Sequence, residues 1–586
     1  MHRAMDNTPP LLERFPPHVL RQYALIADGE RGIVVGPRGD FCWMCLPRWD
    51  SPAVFSSLLG GAGVYAVTPE LRHVWGGQYE ERSLIWRSRW VTTDGIVECR
   101  EALAFPGDPH TAVVLRRIRA LDRPVRMQVA LQVRADFGAT AMSGLSCRDG
   151  VWTGRSGPHR FRWTGAGEAH RPGDGSLRMV VDVAPGRDHD LVLELSDREL
   201  PAQPVEAAQA WHATESAWKQ AVPEITGTLA DVDAQQSYAV LRGLTSAGGG
   251  MVAAATMSLP ERAKQGRNYD YRYCWIRDQC YTGQAIAAAG PHPLLDDAVR
   301  FVTERVLADG PDLRPAYRVD ATTPPPEHDL ALPGYPGGTV KTGNWVADQF
   351  QLDNFGEALL LLAAAARLDR LDSTHWGAVH VLVDAIESRC GEPDAGIWEL
   401  DNQRWAHSRL TCAAGLRRIA GVTSPAEGAR WQHLADKLVS DTSTDCLHRD
   451  GRWQRAPDDA GIDASLLLPG LRGAVAADDA RTIATLAAVR RELTRDGFVY
   501  RYRADQRDLG EAEGAFLLCN FVMALADHQQ GNDLAALQWF ERGRTACGPP
   551  GLLAEEYDVG QRQLRGNLPQ AFAHALLFEA AHLLAG

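Results

Sequence analysis

Aromatic and charged side chains are concentrated in residues 268–278 in a mixture that a hydrophobic core does not require. This segment, NYDYRYCWIRD, contains three tyrosines, one tryptophan, two arginines and two aspartates. Flat aromatic faces can stack on a sugar ring, and charged forks can hold its hydroxyl groups. The segment is therefore typical of a carbohydrate pocket.

Two glutamates later in the chain have similarly aromatic surroundings. Glu399 ends the segment 394–399 (DAGIWE), and Glu555 lies within 552–558 (LLAEEYD). Hydrolysis of a glycosidic bond requires two carboxylates that flank the bound sugar, one of which donates a proton. These two segments therefore predict a glycoside hydrolase.

The elements that would position these residues fall into two regions. Residues 125–133 alternate apolar and polar side chains, as a half-buried strand does. Asp94 and Gly95 form a hairpin turn signal between two strand-like runs. Many short strands joined by Gly and Pro turns predict an antiparallel β-sandwich over residues 1–204. A linker helix is expected within residues 205–230.

From residue 231 the sequence pattern is helical. Apolar side chains at Leu352, Phe355, Leu359, Leu362 and Ala366 form the stripe of a packed helix. Twelve predicted helices favour six hairpins closed into a ring, so an (α/α)6 barrel is expected over residues 231–586. Segment 314–343 interrupts the helices, is rich in Pro and Gly, and is expected to be a functional loop.

Bulk composition narrows the class of partner. A chain of 586 residues is too long for one core, which agrees with two domains. The net charge of -13 argues against nucleic acid as a partner and suits a neutral small-molecule substrate. Apolar runs are too short to cross a bilayer, so no membrane partner is expected. The sequence does not indicate an oligomeric state.

Cysteine usage and the first residues predict a cytoplasmic location. The eleven cysteines are scattered and odd in number, which is typical of reduced thiols. Residues 1–10 lack the apolar core of a secretory signal. Cys42 and Cys45 have no second pair or nearby histidine, so no metal site is expected there. No metal-ligand or nucleotide-binding motif is found, and no cofactor is expected.

Nine motifs resemble, in the same order, those of glycoside hydrolase family 15, the glucoamylase and prokaryotic trehalase family. They occupy residues 40–55, 252–260, 271–278, 343–345, 349–353, 396–399, 513–519, 553–558 and 566–574. The resemblance runs nearly from end to end. It implies a β-sandwich followed by an (α/α)6 barrel. It also implies exo-acting hydrolysis of α-glucosidic bonds with inversion, which releases β-glucose.

The resemblance also implies catalytic roles. By motif position Glu399 resembles the general acid, and Trp398 beside it would exclude water and keep the proton available. Glu555 resembles the general base, with the adjacent Glu556 as an alternative base or as a ligand of sugar hydroxyls. An inverting pair should stand about 6.5–9.5 Å apart so that a water molecule fits between carboxylate and sugar.

Five further residues are expected to bind the substrate. Arg277 and Asp278 match the pair that holds the distal hydroxyls of the terminal glucose. Tyr271 matches a tyrosine close to the reacting carbon. Trp275 would pack beneath the sugar, and Trp345 would stack near the scissile bond. For the aromatic residues, a place in the core is the alternative interpretation.

Because of three departures from the family pattern, the sequence does not determine the identity of the leaving group. Many bacterial members have Arg where this chain has Asp401, and Trp and Asp where it has Ala413 and Arg417. These positions are expected just beyond the acid, where the leaving group should lie.

Trehalose is favoured as the substrate, with malto- or isomalto-oligosaccharides as the alternative. A phosphorylase or a non-catalytic sugar-binding protein is a weaker hypothesis, because the chain retains glutamates at both the acid and the base position.

Overall fold

A computed structural model describes residues 11–504 and 507–586, with the backbone only for residues 11 and 12. Residues 1–10, on which the expectation about a secretory signal rests, lie outside the described residues. The chain folds into two compact units. We call them the β unit (residues up to Gln220, Asp329–Val340 and Gly548–Leu552) and the helical unit (Ala221–His328, Lys341–Cys547 and Leu553–Gly586).

The β unit contains two antiparallel sheets. One has seven strands in the order β1-β2-β3-β5-β10-β14, with β4 paired to β3, and the other has eight strands in the order β11-β12-β13-β15-β9-β8-β7-β6. The strands are β1 Ala24–Ala27, β2 Gly32–Val35, β3 Asp40–Cys45, β4 Ala53–Phe55, β5 Val64–Pro69, β6 His73–Tyr79, β7 Trp86–Thr92, β8 Ile96–Leu103, β9 Thr111–Ala120, β10 Val125–Gln132, β11 Met142–Arg148, β12 Val151–Ser156, β13 His159–Thr164, β14 Leu177–Val183 and β15 Asp188–Ser196.

Side-chain alternation explains why these strands form a two-layer core. Along β14, Leu177, Met179, Val181 and Val183 are buried, while the residues between them are more exposed. They pack in one apolar cluster with residues of both sheets, because one face of each strand must leave water. The predicted antiparallel sandwich is confirmed.

Helix α2 (Ala207–Ala221) belongs almost entirely to the β unit. Trp218 of this helix stacks on Phe105, with ring centroids 4.1 Å apart. The helix of the predicted linker segment therefore packs against the β unit. The break between the two units lies between Gln220 and Ala221, within the predicted linker. The division into domains at 1–204, 205–230 and 231–586 stays a prediction.

The helical unit contains a closed ring of helices. Helices α4, α6, α8, α10, α12 and α14 contact one another in sequence, and α14 returns to α4. The others pack outside this ring, so the predicted (α/α)6 barrel is confirmed. The helices are α3 Asp231–Leu244, α4 Ile276–Ala289, α5 Pro293–Asp309, α6 Asp353–Arg367, α7 Ser373–Arg389, α8 Ala406–Ala420, α9 Pro425–Cys446, α10 Leu468–Arg472, α11 Ala480–Glu492, α12 Leu517–Gln529, α13 Asp533–Arg544 and α14 Ala571–Leu583, and a four-residue α1, Leu11–Arg14, precedes β1.

Short strands join the helices at the end of the ring where the inner helices begin. They are β16 Cys274–Trp275, β17 Ala316–Tyr317, β18 His328–Asp329, β19 Lys341–Thr342, β20 Thr494–Arg495, β21 Phe498–Val499, β22 Ala515–Phe516, β23 Glu556–Asp558 and β24 Gln563–Arg565. A 3-10 turn at residues 345–348 precedes α6, and β22 leads directly into α12. Within the described part of the chain, no helix is both long and apolar enough to cross a bilayer.

Candidate active site

Glu399 and Glu555, which are 156 residues apart in the sequence, line one cavity of about 190 Å³ in the helical unit. The loops that precede the inner helices bring them together. The cavity is lined by Glu261, Arg267, Tyr269, Tyr271, Arg277, Trp345, Ile397, Trp398, Glu399, Leu400, Arg501, Tyr502, Phe516, Leu518, Glu555 and Phe572.

The backbone of Glu399 is in the left-handed conformation, with φ of 57°. A side chain with a Cβ adopts this region at a cost of about 1–2 kcal/mol. Its amide donates to the Gly396 carbonyl at 3.1 Å, and the Leu400 amide donates to the Ala395 carbonyl at 2.9 Å. Backbone strain of this kind is concentrated at functional sites, where the surrounding structure holds it in place.

Asp394 anchors the turn that carries Glu399. Its Oδ2 accepts hydrogen bonds from the amides of Leu352 (3.2 Å) and Gly396 (3.0 Å) and from the hydroxyl of Ser408 (2.8 Å). Burial and the nearby carboxyl of Asp353 raise the pKa of Asp394 to about 8. A neutral Asp394 therefore ties the start of α6, the Glu399 turn and α8 together without adding charge to the site.

Trp275 holds one oxygen of Glu399. Its indole Nε1–H donates to Glu399 Oε1 at 2.7 Å. Because an indole nitrogen can only donate, Oε1 must act as the acceptor, and a proton on Glu399 would lie on Oε2. Trp275 itself is 2% exposed, packs with Tyr273 and Val346, and does not line the cavity. Trp275 therefore lies behind the expected acid and is not part of the cavity wall, where it was expected to pack beneath a sugar.

Tyr271 holds one oxygen of Glu555. Its hydroxyl donates to Glu555 Oε1 at 2.9 Å, and Glu555 Oε2 has no hydrogen-bond partner among the described residues. The ring of Tyr271 meets Trp275 edge-on, with centroids 5.6 Å apart. The two expected catalytic carboxylates are thus oriented by two aromatic residues that touch each other.

Strand geometry separates Glu555 from Glu556. Successive side chains along an extended segment point to opposite sides, and Glu556 begins β23. Glu556 is fully buried, does not line the cavity, and its Oε2 accepts from the Gly514 amide at 2.6 Å. The expectation that Glu556 binds the sugar is corrected, and Glu555 alone of this pair faces the cavity.

Glu556 belongs to a buried acidic cluster whose other members are Glu261, on the cavity wall, and Glu513. Ligand oxygens of Glu261, Glu513 and Glu556 lie within 4.8 Å of one another, a spacing that could hold a metal ion. Arg501 donates to both oxygens of Glu513, at 2.9 and 2.8 Å, and Arg267 donates to the same carboxylate at 2.6 Å. Two guanidinium groups therefore already supply positive charge to this cluster.

Other cavity residues were also missed by reasoning from the sequence. The available signal was proximity to a motif, since Glu261 directly follows segment 252–260 and Phe516 lies within segment 513–519. The missed residues include Glu261, Arg267, Tyr269, Arg501, Tyr502, Phe516 and Phe572.

Burial and neighbouring carboxylates raise two pKa values at this end of the cavity. Burial is the larger cause of the strongly raised pKa of Glu555, and the negative charge of Glu261 is the next. Burial also raises the pKa of Glu261 to about 7, although Arg501 opposes this shift. The charge on either carboxyl group therefore changes the pKa of the other.

A Glu261→Gln substitution is expected to move the acidic limb of the pH profile of kcat/KM to lower pH. As the expected general base, Glu555 must be ionised to accept a proton, so activity should fall as pH drops through its raised pKa. A neutral residue at 261 removes a repelling charge and lowers that pKa. Glu387→Gln, an exposed change on α7, is the control. An unmoved or upward-shifted limb in Glu261→Gln would refute the coupling.

Of the pair expected to hold the terminal hydroxyls, Arg277 lines the cavity and Asp278 lies just behind it. Arg277 donates to the Ile397 carbonyl at 2.8 Å, and its guanidinium is 3.6 Å from Asp278 and 3.7 Å from Glu399. Both carboxyl oxygens of Asp278 are buried and make no hydrogen bond within the described residues, and burial raises its pKa to about 6. The two residues therefore form a buried pair that presents one guanidinium to the cavity.

Trp398 and Trp345 form parts of the cavity wall. Trp398 donates from Nε1 to Asp463 at 2.9 Å and meets Phe516 edge-on at 5.3 Å, so its ring is fixed. Trp345 is 44% exposed and also lines an adjoining outer cavity of about 740 Å³. An exposed tryptophan at the junction of two cavities is suited to stacking on a sugar that spans them.

Only one of the three departures from the family pattern lies near the acid. Asp401 lines the outer cavity. Ala413 is fully buried within α8, and Arg417 lies in the last turn of α8, where it donates to Asp436 at 2.7 Å. The expectation that all three surround the leaving group is therefore wrong, because one helix carries the last two away from the cavity.

Comparisons with known families agree with this architecture. Residues 235–582 match the model described as glycosyl hydrolases family 15, and residues 15–218 match the model described as trehalase-like, N-terminal.

Two curated relatives are trehalases. That of Mycolicibacterium smegmatis is 30% identical over 621 residues, covering 98% of this chain and 92% of the relative. That of Mycobacterium tuberculosis is 29% identical over 628 residues, covering 98% and 91%.

Among solved structures, a bacterial glucoamylase complexed with acarbose has a similar fold. The TM-score is 0.70 at 14% identity, with 97% of this chain and 94% of that chain covered. At this level of identity the likeness concerns the fold alone.

Proposed function

The chain belongs to glycosyl hydrolases family 15, and from that premise we propose that it is an inverting trehalase, which cleaves α,α-trehalose into two glucose molecules. One observation carries the proposal. Two carboxylates, each held at one oxygen by an aromatic hydrogen-bond donor, line a single small cavity. The choice of trehalose is supported by the full-length similarity to trehalases and by the inner cavity of about 190 Å³.

In the proposed reaction the two carboxyl groups act on opposite sides of one glucose ring. Glu399 gives the proton on Oε2 to the glycosidic oxygen, and the bond between that oxygen and the anomeric carbon breaks. Glu555 Oε2 takes a proton from a water molecule, whose oxygen forms the new bond to the anomeric carbon from the opposite face. Glu399 ends ionised and Glu555 protonated, and solvent restores both.

The remaining residues orient the reactants in this proposal. Arg277 holds hydroxyls of the terminal glucose with charge-assisted hydrogen bonds, and Asp278 supports the guanidinium. Tyr271 keeps Glu555 in place and lies beside the positive charge that develops on the ring. Trp345 stacks on the leaving glucose at the entrance from the outer cavity. No step of this scheme requires a metal or cofactor.

Inversion makes a specific prediction for the first products of trehalose cleavage. The glucose attacked by water is released as the β-anomer, and the leaving glucose keeps its α-configuration. Early proton NMR spectra should therefore show the two anomers in equal amounts, before mutarotation changes the ratio. A retaining reaction would release only α-glucose, and that result would exclude the inverting scheme.

A substrate panel tests the choice of trehalose. We expect the highest kcat/KM on trehalose when it is compared with maltose, isomaltose, kojibiose and nigerose. Faster hydrolysis of maltose or isomaltose would instead assign a glucoamylase or α-glucosidase activity to the same site. We also propose a cytoplasmic location, supported by eleven free cysteines, which cell fractionation would test.

A further inference from the structure

A second cavity, of about 550 Å³, lies at the opposite end of the barrel helices from the glutamates. It is lined where α6, α8 and α12 end and where the loop from α10 to α11 passes. Glu399 lies before the first residue of α8, whereas Arg417 and Arg418 lie in its last turn. A helix of 15 residues is about 22 Å long, so this cavity is remote from the candidate active site.

Four arginines line this cavity, which we call the arginine pocket: Arg367, Arg417, Arg418 and Arg481. Among the described residues of the lining, Asp479 is the only acidic one. An excess of positive charge in one pocket is unusual for a chain with a net charge of -13. Such a pocket attracts anions, because low-dielectric walls concentrate the field of its charges.

Two of the four guanidinium groups are already paired. Arg481 donates to both oxygens of Asp479, at 2.9 and 2.6 Å. Arg417 donates to Asp436, which lies outside the lining. Arg367 and Arg418 have no carboxylate within ion-pair distance among the described residues. The pocket therefore retains two uncompensated positive charges.

The surroundings of Arg418 hold its guanidinium in place. Its Nε donates to the Arg472 carbonyl at 2.8 Å. Gly473, with φ of 91°, lies against the same guanidinium, since a Cβ there would come within 3.1 Å of Nη2. Burial and the charges of Arg367 and Arg472 lower the pKa of Arg418. A half-buried cation beside other cations carries an electrostatic cost that a bound anion would offset.

Helix capping explains only part of this arrangement. Basic residues in a last turn favour the negative end of the helix dipole, which accounts for Arg367 on α6 and for Arg417 and Arg418 on α8. Arg481 is different, because it lies in the first turn of α11, at the positive end of that dipole. Capping therefore does not account for the convergence of all four side chains.

We infer that the arginine pocket binds a small phosphate-bearing anion, either inorganic phosphate or a sugar phosphate. The fork of a guanidinium group matches two oxygens of a phosphate, and Arg367 and Arg418 have donors to offer. This inference does not depend on the proposed trehalase activity.

Isothermal titration calorimetry tests the inference with the full chain at about 0.15 M sodium chloride, which screens diffuse charge attraction. Inorganic phosphate and glucose 6-phosphate are the two probes, and we expect saturable binding of at least one. The probe that binds with the lower Kd shows whether the pocket prefers inorganic phosphate or a sugar phosphate. If neither probe binds saturably, the inference is overturned.

Arg418→Gln and Arg367→Gln should each weaken binding about ten- to a hundredfold, the effect of losing a charged hydrogen bond. Arg430→Gln, which removes an exposed arginine from α9, should leave affinity unchanged. Equal weakening in all three variants would indicate a general charge effect and refute a specific site. Circular dichroism checks folding, and the exposed Arg367 variant alone decides the matter if Arg418→Gln does not fold.

Discussion

Replacing Glu555 with Gln is expected to lower kcat on trehalose by about 10²- to 10⁴-fold, the usual contribution of general acid–base catalysis. Gln keeps the size of the side chain and can still accept the hydrogen bond from Tyr271. It cannot take a proton from water. Steady-state kinetics should show the loss mainly in kcat, and the acidic limb of the pH profile should disappear with the titrating group.

The adjacent Glu556 provides a matched control. Glu556→Gln changes the same residue type one position away, outside the cavity lining. Glu556 is fully buried, and its Oε2 accepts from the Gly514 amide at 2.6 Å, a bond that the side-chain oxygen of Gln can keep. We therefore expect kcat to stay within about tenfold of the unmutated value. If Glu556→Gln abolished activity while Glu555→Gln kept it, the base would be reassigned.

Replacing Glu399 with Gln should have a similarly large effect, but one that depends on the leaving group. On trehalose the glucose that leaves needs a proton, and we expect kcat to fall by about 10²- to 10⁴-fold. α-Glucosyl fluoride releases fluoride, which needs little protonation. The same variant should therefore hydrolyse the fluoride with a much smaller loss.

This dependence separates an acid from a residue that only shapes the cavity. A structural role would slow both substrates equally, so equal losses would contradict the acid assignment. Trp275→Phe is a useful companion variant, because it removes the indole N–H that donates to Glu399 Oε1 and leaves the carboxyl group. Its loss should be smaller than that of Glu399→Gln on trehalose.

Local patterns in the sequence were sufficient to predict the architecture. Alternation along residues 125–133 predicted a strand with one buried face. This segment forms β10, whose buried side chains pack in the core of the β unit. The apolar stripe from Phe355 to Ala366 similarly marked α6. Such patterns are readable because strand and helix periodicity are set by each element's own backbone geometry.

The position of each site residue relative to the cavity could not be read in this way. Trp275 and Trp398 both belong to family motifs, yet one lies behind Glu399 and the other lines the cavity. Glu261 and Arg501 are 240 residues apart in the sequence and act on the same carboxylates. A motif identifies residue types at a spacing, but the direction of a side chain depends on the packing of distant segments.

The sequence by itself determined the fold class, the family and the two candidate carboxylates, because these depend on periodicity and on short motifs. Only the tertiary structure decided that Glu555 and not Glu556 faces the cavity, since successive side chains point to opposite sides where the chain enters β23. It also decided that Arg417 lies about one helix length from the acid, in a pocket with three other arginines. Both outcomes depend on the packing of segments far apart in the chain, which fixes where a residue points and which charges surround it.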